Sequence, residues 1–133
     1  MPERSNNIKV GLYGVASRAT GLVPTQVQIL FPSFINMKNQ LNLVKEFHTK
    51  FKALISTNPT LIPLDRSNLR FNLMKEEVKE YKKEVENKNI EEISKELADI
   101  LYAVYGTILE HGLQDKIEQI FEEVHKSNMS KDY

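Results

Sequence analysis

The 133-residue chain contains no cysteine, and it has only five glycines and five prolines. The absence of cysteine excludes a disulfide framework, a thiolate zinc site and a cysteine nucleophile. No apolar run approaches the ~20 residues of a membrane-spanning helix, because the longest candidate, 97–109, contains Asp99. Acidic and basic residues both number 18, so no net charge draws the chain towards nucleic acid or anionic lipid. We therefore expect a soluble, cytoplasmic protein with no nucleic-acid or membrane partner.

The few glycines and prolines are concentrated near the N-terminus. Residues 1–36 hold three of each, carry three basic residues and one acidic residue, and show no sustained helical period. We predict that 1–36 form an N-terminal arm or extension, in which 27–31 is a candidate for a short strand. A transit peptide is the alternative, because only Glu3 is acidic, although arginines are few. Residues 37–133 are predicted to form the functional domain.

From residue 37 onward the apolar residues recur with a helical period. This pattern predicts a first helix over about 38–54, followed by a loop over 57–65, which contains two prolines. Residues 66–105 contain neither glycine nor proline, a composition that favours helix over sheet. Apart from the loop over 57–65, the chain beyond residue 37 is therefore predicted to be helical, with short connections.

Capping signals divide this helical region. Asn89 and Glu92 form a capping box, which predicts that one helix ends near residue 86 and the next begins at about residue 90. Gly112 suits the C-terminal end of that third helix. Asp115 and Glu118 repeat the capping-box spacing and predict a fourth helix. Four helices with short connections predict an all-α fold, an antiparallel four-helix bundle.

The apolar positions predicted to face the core follow spacings of three and four residues. They are Leu41, Val44, Phe47, Phe51 and Leu54 on the first helix; Phe71, Met74, Val78, Tyr81 and Val85 on the second; Ile90, Ile93, Leu97, Ile100, Leu101, Val104 and Ile108 on the third; and Ile117, Ile120, Phe121 and Val124 on the fourth. On the second and third helices these positions span a wider arc than one partner helix covers. We therefore expect a homo-oligomer, either a dimer or a tetramer. His48, beside the first stripe, is predicted to be packed or hydrogen-bonded.

Carboxylates occupy matching positions beside the apolar stripes of the second and third helices. They are Glu76, Glu77 and Glu80 on the second helix and Glu96 and Asp99 on the third. If the two helices pack as a hairpin, at 100° per residue, these acids converge on one pocket. Two carboxylates ~5 Å apart repel by about 3 kcal/mol at an effective dielectric of ~20, before screening. A hard cation such as Mg²⁺ or Mn²⁺ would remove that repulsion. The alternative is an ordinary solvated helix face.

The sequence around these acids resembles a known signature. The chain has EEVKE at 76–80 and, after 15 intervening residues, ELAD at 96–99. These segments resemble the E-E-x-x-E…E-x-x-D signature of the all-α nucleoside triphosphate pyrophosphohydrolases, the MazG-like superfamily. FHTKF at 47–51 resembles the F-H-x-x-F element of the first helix of this superfamily. Two further segments, ILYAVYG at 100–106 and VHKSNMSK at 124–131, resemble elements of its phosphoribosyl-ATP-pyrophosphohydrolase-like branch. The resemblance extends over about residues 37–131.

The resemblance implies a magnesium-dependent enzyme of nucleotide-pool house-cleaning. Such enzymes hydrolyse a (deoxy)nucleoside triphosphate between the α- and β-phosphates, giving a monophosphate and pyrophosphate. By the family pattern, the metal ligands are Glu77, Glu80, Glu96 and Asp99. Glu76 would orient or deprotonate the attacking water, or hold a further ion. Asn128 and Lys131 match the N-x-x-K ending and would bind substrate phosphates.

Two other functions stay open at this point. The first is phosphoribosyl-ATP pyrophosphohydrolysis in histidine biosynthesis, whose enzymes usually carry a histidine where this chain has Ala103. The second is a non-enzymatic helical interaction module whose acidic face is merely solvated. The sequence names neither the base nor the sugar of a nucleotide substrate.

Overall fold

A computed structural model describes residues 35–132. Nearly all of the predicted arm at 1–36, including the candidate strand at 27–31, lies outside the described residues. Four helices follow: α1 (Lys38–Lys50), α2 (Leu64–Glu86), α3 (Ile90–Glu110) and α4 (Ile117–Met129). Residues 35–132 contain no strand, so the predicted all-α fold with four helices is confirmed. Within the same residues, no helix is long and apolar enough to cross a membrane.

The turn between α2 and α3 follows the predicted capping box. The side-chain Oδ1 of Asn89 accepts a hydrogen bond from the backbone N–H of Glu92, at 3.3 Å. Lys88 adopts the left-handed conformation, with φ 57°, which reverses the chain within three residues. The backbone N–H of Asn89 then donates to the carbonyl of Glu84 at 3.2 Å, which closes the end of α2. The predicted division between these two helices is confirmed.

The C-terminal end of α3 is closed by Gly112, as predicted. Gly112 has φ 67°, and the N–H of Leu113 donates to the carbonyl of Ile108 at 3.0 Å, the pattern of a Schellman motif. A side chain at Gly112 would overlap the carbonyl of Asn58. The loop before α2 therefore packs directly on this turn. Ser56 donates its backbone N–H to the carbonyl of Leu109 at 3.0 Å, which satisfies one of the carbonyls left open at the helix end.

One predicted helix end and one predicted helix cap are wrong. The first helix ends at Lys50 rather than near residue 54, because Lys52 adopts a left-handed conformation with φ 56°. The second capping box does not form, since Lys116 precedes α4 and no side chain caps that helix. Instead, Oε1 of Glu118 accepts a hydrogen bond from the backbone N–H of Met37 at 2.9 Å. Glu118 therefore ties the start of α4 to the start of α1, a contact between residues 81 positions apart.

The buried apolar core of the described chain is small and lies between α1 and the C-terminal half of α3. It consists of Leu41, Val44, Ile108 and Leu109. Most apolar side chains predicted to be buried on α2, α3 and α4 are instead exposed, for example Phe71 (58%), Val78 (51%) and Phe121 (49%). Helical periodicity identifies an apolar face correctly but does not reveal which surface covers it. Within residues 35–132, these faces are left largely uncovered.

A buried ion cluster joins α2 to α3. The fully buried Glu110 accepts hydrogen bonds from Arg66 Nε at 2.6 Å and from Arg66 Nη2 at 3.1 Å. Arg70 Nε lies 3.8 Å from the second Glu110 oxygen and donates to Thr107 Oγ1 at 3.0 Å. Arg70 Nη2 donates to the carbonyl of Ala103 at 2.8 Å. Hydrogen bonding to Glu110 raises the pKa of Arg66. We call the three charged residues Arg66, Arg70 and Glu110 the Glu110 clamp.

Gly106 leaves the space that the Arg70 guanidinium occupies. A β-carbon at this position would contact Arg70 Nη2 at less than van der Waals distance and would lie 2.9 Å from His48 Nε2. His48 is itself buried, and its Nδ1 is 3.0 Å from the carbonyl of Leu54. The predicted packed and hydrogen-bonded histidine is confirmed. Both neighbours of Gly106 are held in place, so neither can move away at little cost.

We expect Gly106→Ala to destabilise the protein by about 1–3 kcal/mol, because the added methyl group overpacks this site. The gain in helix propensity, about 1 kcal/mol, opposes this loss. Urea denaturation would measure the free energy of unfolding, with Ala98→Gly on the exposed face of α3 as the matched control for propensity alone. A more stable Gly106→Ala protein would contradict the proposed packing of Arg70 and His48.

Candidate metal centre

The register of the α2–α3 hairpin brings the predicted acids together. Arg70 on α2 contacts the backbone of Ala103 on α3. Glu77 lies seven residues further along α2, and Glu96 lies seven residues back along α3. At 1.5 Å per residue, both displacements equal about 10.5 Å in an antiparallel pair. The contact at Arg70 therefore places Glu77 opposite Glu96.

Three of the predicted metal ligands converge. Glu77, Glu96 and Asp99 each offer a carboxylate oxygen, and these oxygens all lie within 4.8 Å of one another. Glu96 is buried (5% exposed), while Glu77 and Asp99 are half-buried. Oxygens around an octahedral Mg²⁺ at ~2.1 Å are about 3–4 Å apart, so small side-chain rotations would suffice to bind one ion. We call these three residues the acidic cluster.

Charge and burial act together on Glu77. Burial raises the pKa of the Glu77 carboxyl above its ordinary value, and the neighbouring charges of Asp99, Glu96 and Glu76 raise it further. The ammonium group of Lys95 acts in the opposite direction. The metal-free cluster therefore disfavours a full set of negative charges. An all-oxygen anionic donor set with this property fits a hard divalent cation, and so the residues present fit the metal that the family signature implies.

Lys95 contacts the acidic cluster and was not among the residues predicted for this site. Its Nζ donates to Glu96 Oε1 at 3.0 Å and to Asp99 Oδ2 at 3.2 Å. These hydrogen bonds raise the pKa of Lys95, so the group is fully charged at neutral pH. The spacing of Lys95 and Asp99, four positions apart on one helix, is a recognisable signal for an ion pair.

The remaining predicted residues are not in the cluster. Glu80 Oε2 lies 3.8 Å from Lys83 Nζ, and its side chain is 46% exposed. Glu76 is exposed and acts on Glu77 through its charge. Neither position tests the roles assigned from the family pattern, which stay predictions.

Asn128 and Lys131 lie together at the C-terminal end of α4. Lys131 Nζ donates to Asn128 Oδ1 at 2.8 Å. Both residues line a groove of about 480 Å³ whose walls come from α4 and the residues just after it. Within residues 35–132, no hydrogen bond or ion pair links them to the acidic cluster. Their predicted binding of phosphate is untested by this arrangement.

Comparison with known proteins identifies the class to which this fold and site belong. Residues 44–128 match a family model described as "Phosphoribosyl-ATP pyrophosphohydrolase". No curated protein matches the chain. The matched span includes α2, α3 and every residue of the acidic cluster. The fold is that of the MazG-like, all-α pyrophosphohydrolase superfamily. Within that superfamily, the chain belongs to the phosphoribosyl-ATP pyrophosphohydrolase family, whose members generally depend on a divalent metal.

Glu77→Gln should stabilise the protein in chelator, because it removes a carboxylate whose charge is unfavourable in the folded state. The raised pKa means that the folded protein binds more protons than the unfolded chain, so stability decreases as pH rises above about 4.5. The difference in melting temperature between the variant and the parent should therefore increase as pH rises above about 4.5. In Mn²⁺ or Mg²⁺, the parent should gain more stability than the variant.

Glu46→Gln, on the exposed side of α1, is the matched control and should change neither response. Melting curves in chelator and in metal, recorded from pH 4 to 8, provide the measurement. Parental behaviour of Glu77→Gln in both solutions would contradict a metal centre at this cluster.

Proposed function

We propose that the protein hydrolyses nucleoside triphosphates between the α- and β-phosphates, with Mg²⁺ or Mn²⁺ as cofactor. The products are a nucleoside monophosphate and pyrophosphate. The observation that carries this proposal is the convergence of the Glu77, Glu96 and Asp99 oxygens within 4.8 Å, inside the span that matches a pyrophosphohydrolase family. Removal of surplus or unwanted nucleotides in the cytoplasm is the physiological role we assign to it.

The residues of the hairpin divide the chemical work. Glu77, Glu96 and Asp99 would hold the metal. Glu80 would join them by leaving its 3.8 Å contact with Lys83. A bound divalent ion neutralises phosphate charge and helps position the attacking water. Glu76, exposed beside the cluster, orients that water or accepts its proton.

The binding of the substrate phosphates is assigned to the C-terminal end of α4 and the residues just after it. Lys131 uses one of three ammonium donors on Asn128, and so retains two for phosphate oxygens. The side-chain amide of Asn128 also keeps its N–H donors, since only its oxygen is engaged. This pair can therefore bind an anion without breaking its own hydrogen bond.

Phosphoribosyl-ATP is the second candidate substrate, and the family match favours it. Against it stands Ala103, which occupies a position where such enzymes usually have histidine. The Ala103 carbonyl accepts a hydrogen bond from Arg70, so this residue lies on the hairpin interface. Both candidates require cleavage of the same type of anhydride bond, and a substrate panel distinguishes them.

We also propose that the protein works as a homodimer or homotetramer. The support is the set of exposed apolar side chains on three helices, which include Phe71, Leu101 and Phe121. Burying such side chains is worth about 25 cal/mol per Å² of apolar surface, which favours association of a second copy. The exposed Val124 adjoins Asn128 and Lys131 in the same groove, so a partner on this face would lie beside the assigned phosphate-binding pair.

With Mg²⁺ and a panel of triphosphates that includes phosphoribosyl-ATP, the first products should be monophosphate and pyrophosphate. Phosphorus NMR without added pyrophosphatase would identify them. Asp99→Asn should reduce turnover by orders of magnitude, because it removes an anionic metal ligand. Glu46→Gln is the control and should retain activity. Orthophosphate and a diphosphate as initial products would contradict cleavage between the α- and β-phosphates.

The oligomeric state can be tested by solution scattering at micromolar concentration, where we expect a dimeric or tetrameric mass. Phe121→Glu should shift that mass towards the monomer, because it places a charge in the apolar surface of α4. Lys82→Glu, on the exposed surface of α2, tests whether an added acid has the same effect elsewhere. A monomeric parent protein would contradict the proposed assembly.

A further inference from the structure

Lys95 occupies an unusual position for a largely exposed lysine. Its side chain is 61% exposed, yet its Nζ lies 3.0 Å from Glu96 Oε1 and 3.2 Å from Asp99 Oδ2. Glu96 is buried, so its oxygen has few alternative partners. Within residues 35–132, Lys95 is the only cation that forms an ion pair with the acidic cluster. One flexible ammonium group therefore balances part of the charge of three carboxylates.

The two carboxylates that Lys95 contacts, Glu96 and Asp99, belong to the acidic cluster that would hold a metal ion. A divalent cation bound by Glu96 and Asp99 would lie close to the present position of the Lys95 ammonium. The divalent ion and the ammonium group would repel each other at such close range, and they would compete for the same two carboxylates. The four-carbon stem of lysine allows its ammonium to move into solvent without any change in the backbone. Metal binding would therefore compete with the Lys95 ion pairs.

We propose that Lys95 is a tethered counterion of the acidic cluster, which competes with the divalent ion and so weakens metal binding. This inference rests on the proposed metal centre and concerns its regulation. In the absence of metal, Lys95 reduces the repulsion that would otherwise act between Glu96 and Asp99. When metal is bound, Lys95 is displaced into solvent. The singly charged ammonium group of Lys95 is thereby replaced by a divalent ion from solution.

The test measures Mn²⁺ binding by electron paramagnetic resonance, which counts the free ion and needs no substrate. Lys95→Met removes the charge and keeps the length of the side chain, so we expect Mn²⁺ to bind about fivefold more tightly, or better. Lys95→Arg retains the charge and should bind Mn²⁺ much as the parent does. Lys82→Met removes an exposed ammonium from α2 and is the matched control for net charge, with parental affinity expected.

Melting curves in chelator provide a second measurement. Lys95→Met should melt below Lys82→Met, because only the former leaves Glu96 and Asp99 without their counterion. With added Mn²⁺, the order should reverse. Parental melting of Lys95→Met in chelator, together with unchanged Mn²⁺ affinity, would overturn the inference.

The outcomes separate this inference from the proposed function. If the parent binds Mn²⁺ and Asp99→Asn does not, but Lys95→Met and Lys82→Met bind equally, the metal centre stands and the role of Lys95 is overturned. Weaker binding by Lys95→Met also overturns it, because the lysine would then assist the metal. If the parent binds no Mn²⁺, the proposed metal centre fails and the inference fails with it.

Discussion

The fixed register between α2 and α3 is the constraint on which the rest of the site depends. The Glu110 clamp sets this register, because the fully buried carboxylate needs cationic partners from the facing helix. Arg66 donates hydrogen bonds to both carboxylate oxygens, and Arg70 forms an ion pair with one of them. A slip by one residue would rotate the arginines away from Glu110 by about 100° and leave a buried charge unpaired. The same slip would separate Glu77 from Glu96. The convergence of the acids is thus a consequence of an ion cluster that contains none of them.

Local signals and family resemblance account for what the sequence predicts well. Asn89 determines the start of a helix through its side chain, and Gly112 determines the end of one through its backbone conformation. Such helix ends can be predicted from a few neighbouring residues. Contacts between distant segments cannot be predicted in this way. Glu118 has the sequence spacing of a capping box at the start of its own helix, yet its oxygen accepts a hydrogen bond from the N–H of Met37. Similarly, Val78 has helical apolar spacing but remains exposed, because spacing does not reveal what covers a face.

For the candidate site, the signature motif identifies the acidic residues, but only the structure shows which cations offset their charge. Glu77, Glu96 and Asp99 meet as the helical geometry predicts. Glu80 is drawn towards Lys83 instead, and Lys95 turns towards Glu96. Each of these contacts depends on side-chain conformations that the spacing of acids leaves undetermined. The site accumulates unfavourable charge that the fold tolerates, as is common where function requires residues that stability does not.

The nearest members of the Glu110 clamp and the acidic cluster on α2, Arg70 and Glu77, are separated by about two helical turns, or ~10 Å. This separation has a consequence for how the protein can change over time. Substitutions at that distance, without shared partners, usually have additive effects on stability. Ligands and nearby lysines can therefore be exchanged singly while the anchoring end of the hairpin stays intact. Such a scaffold can acquire a different metal affinity or substrate preference through successive steps, each of which leaves a folded protein.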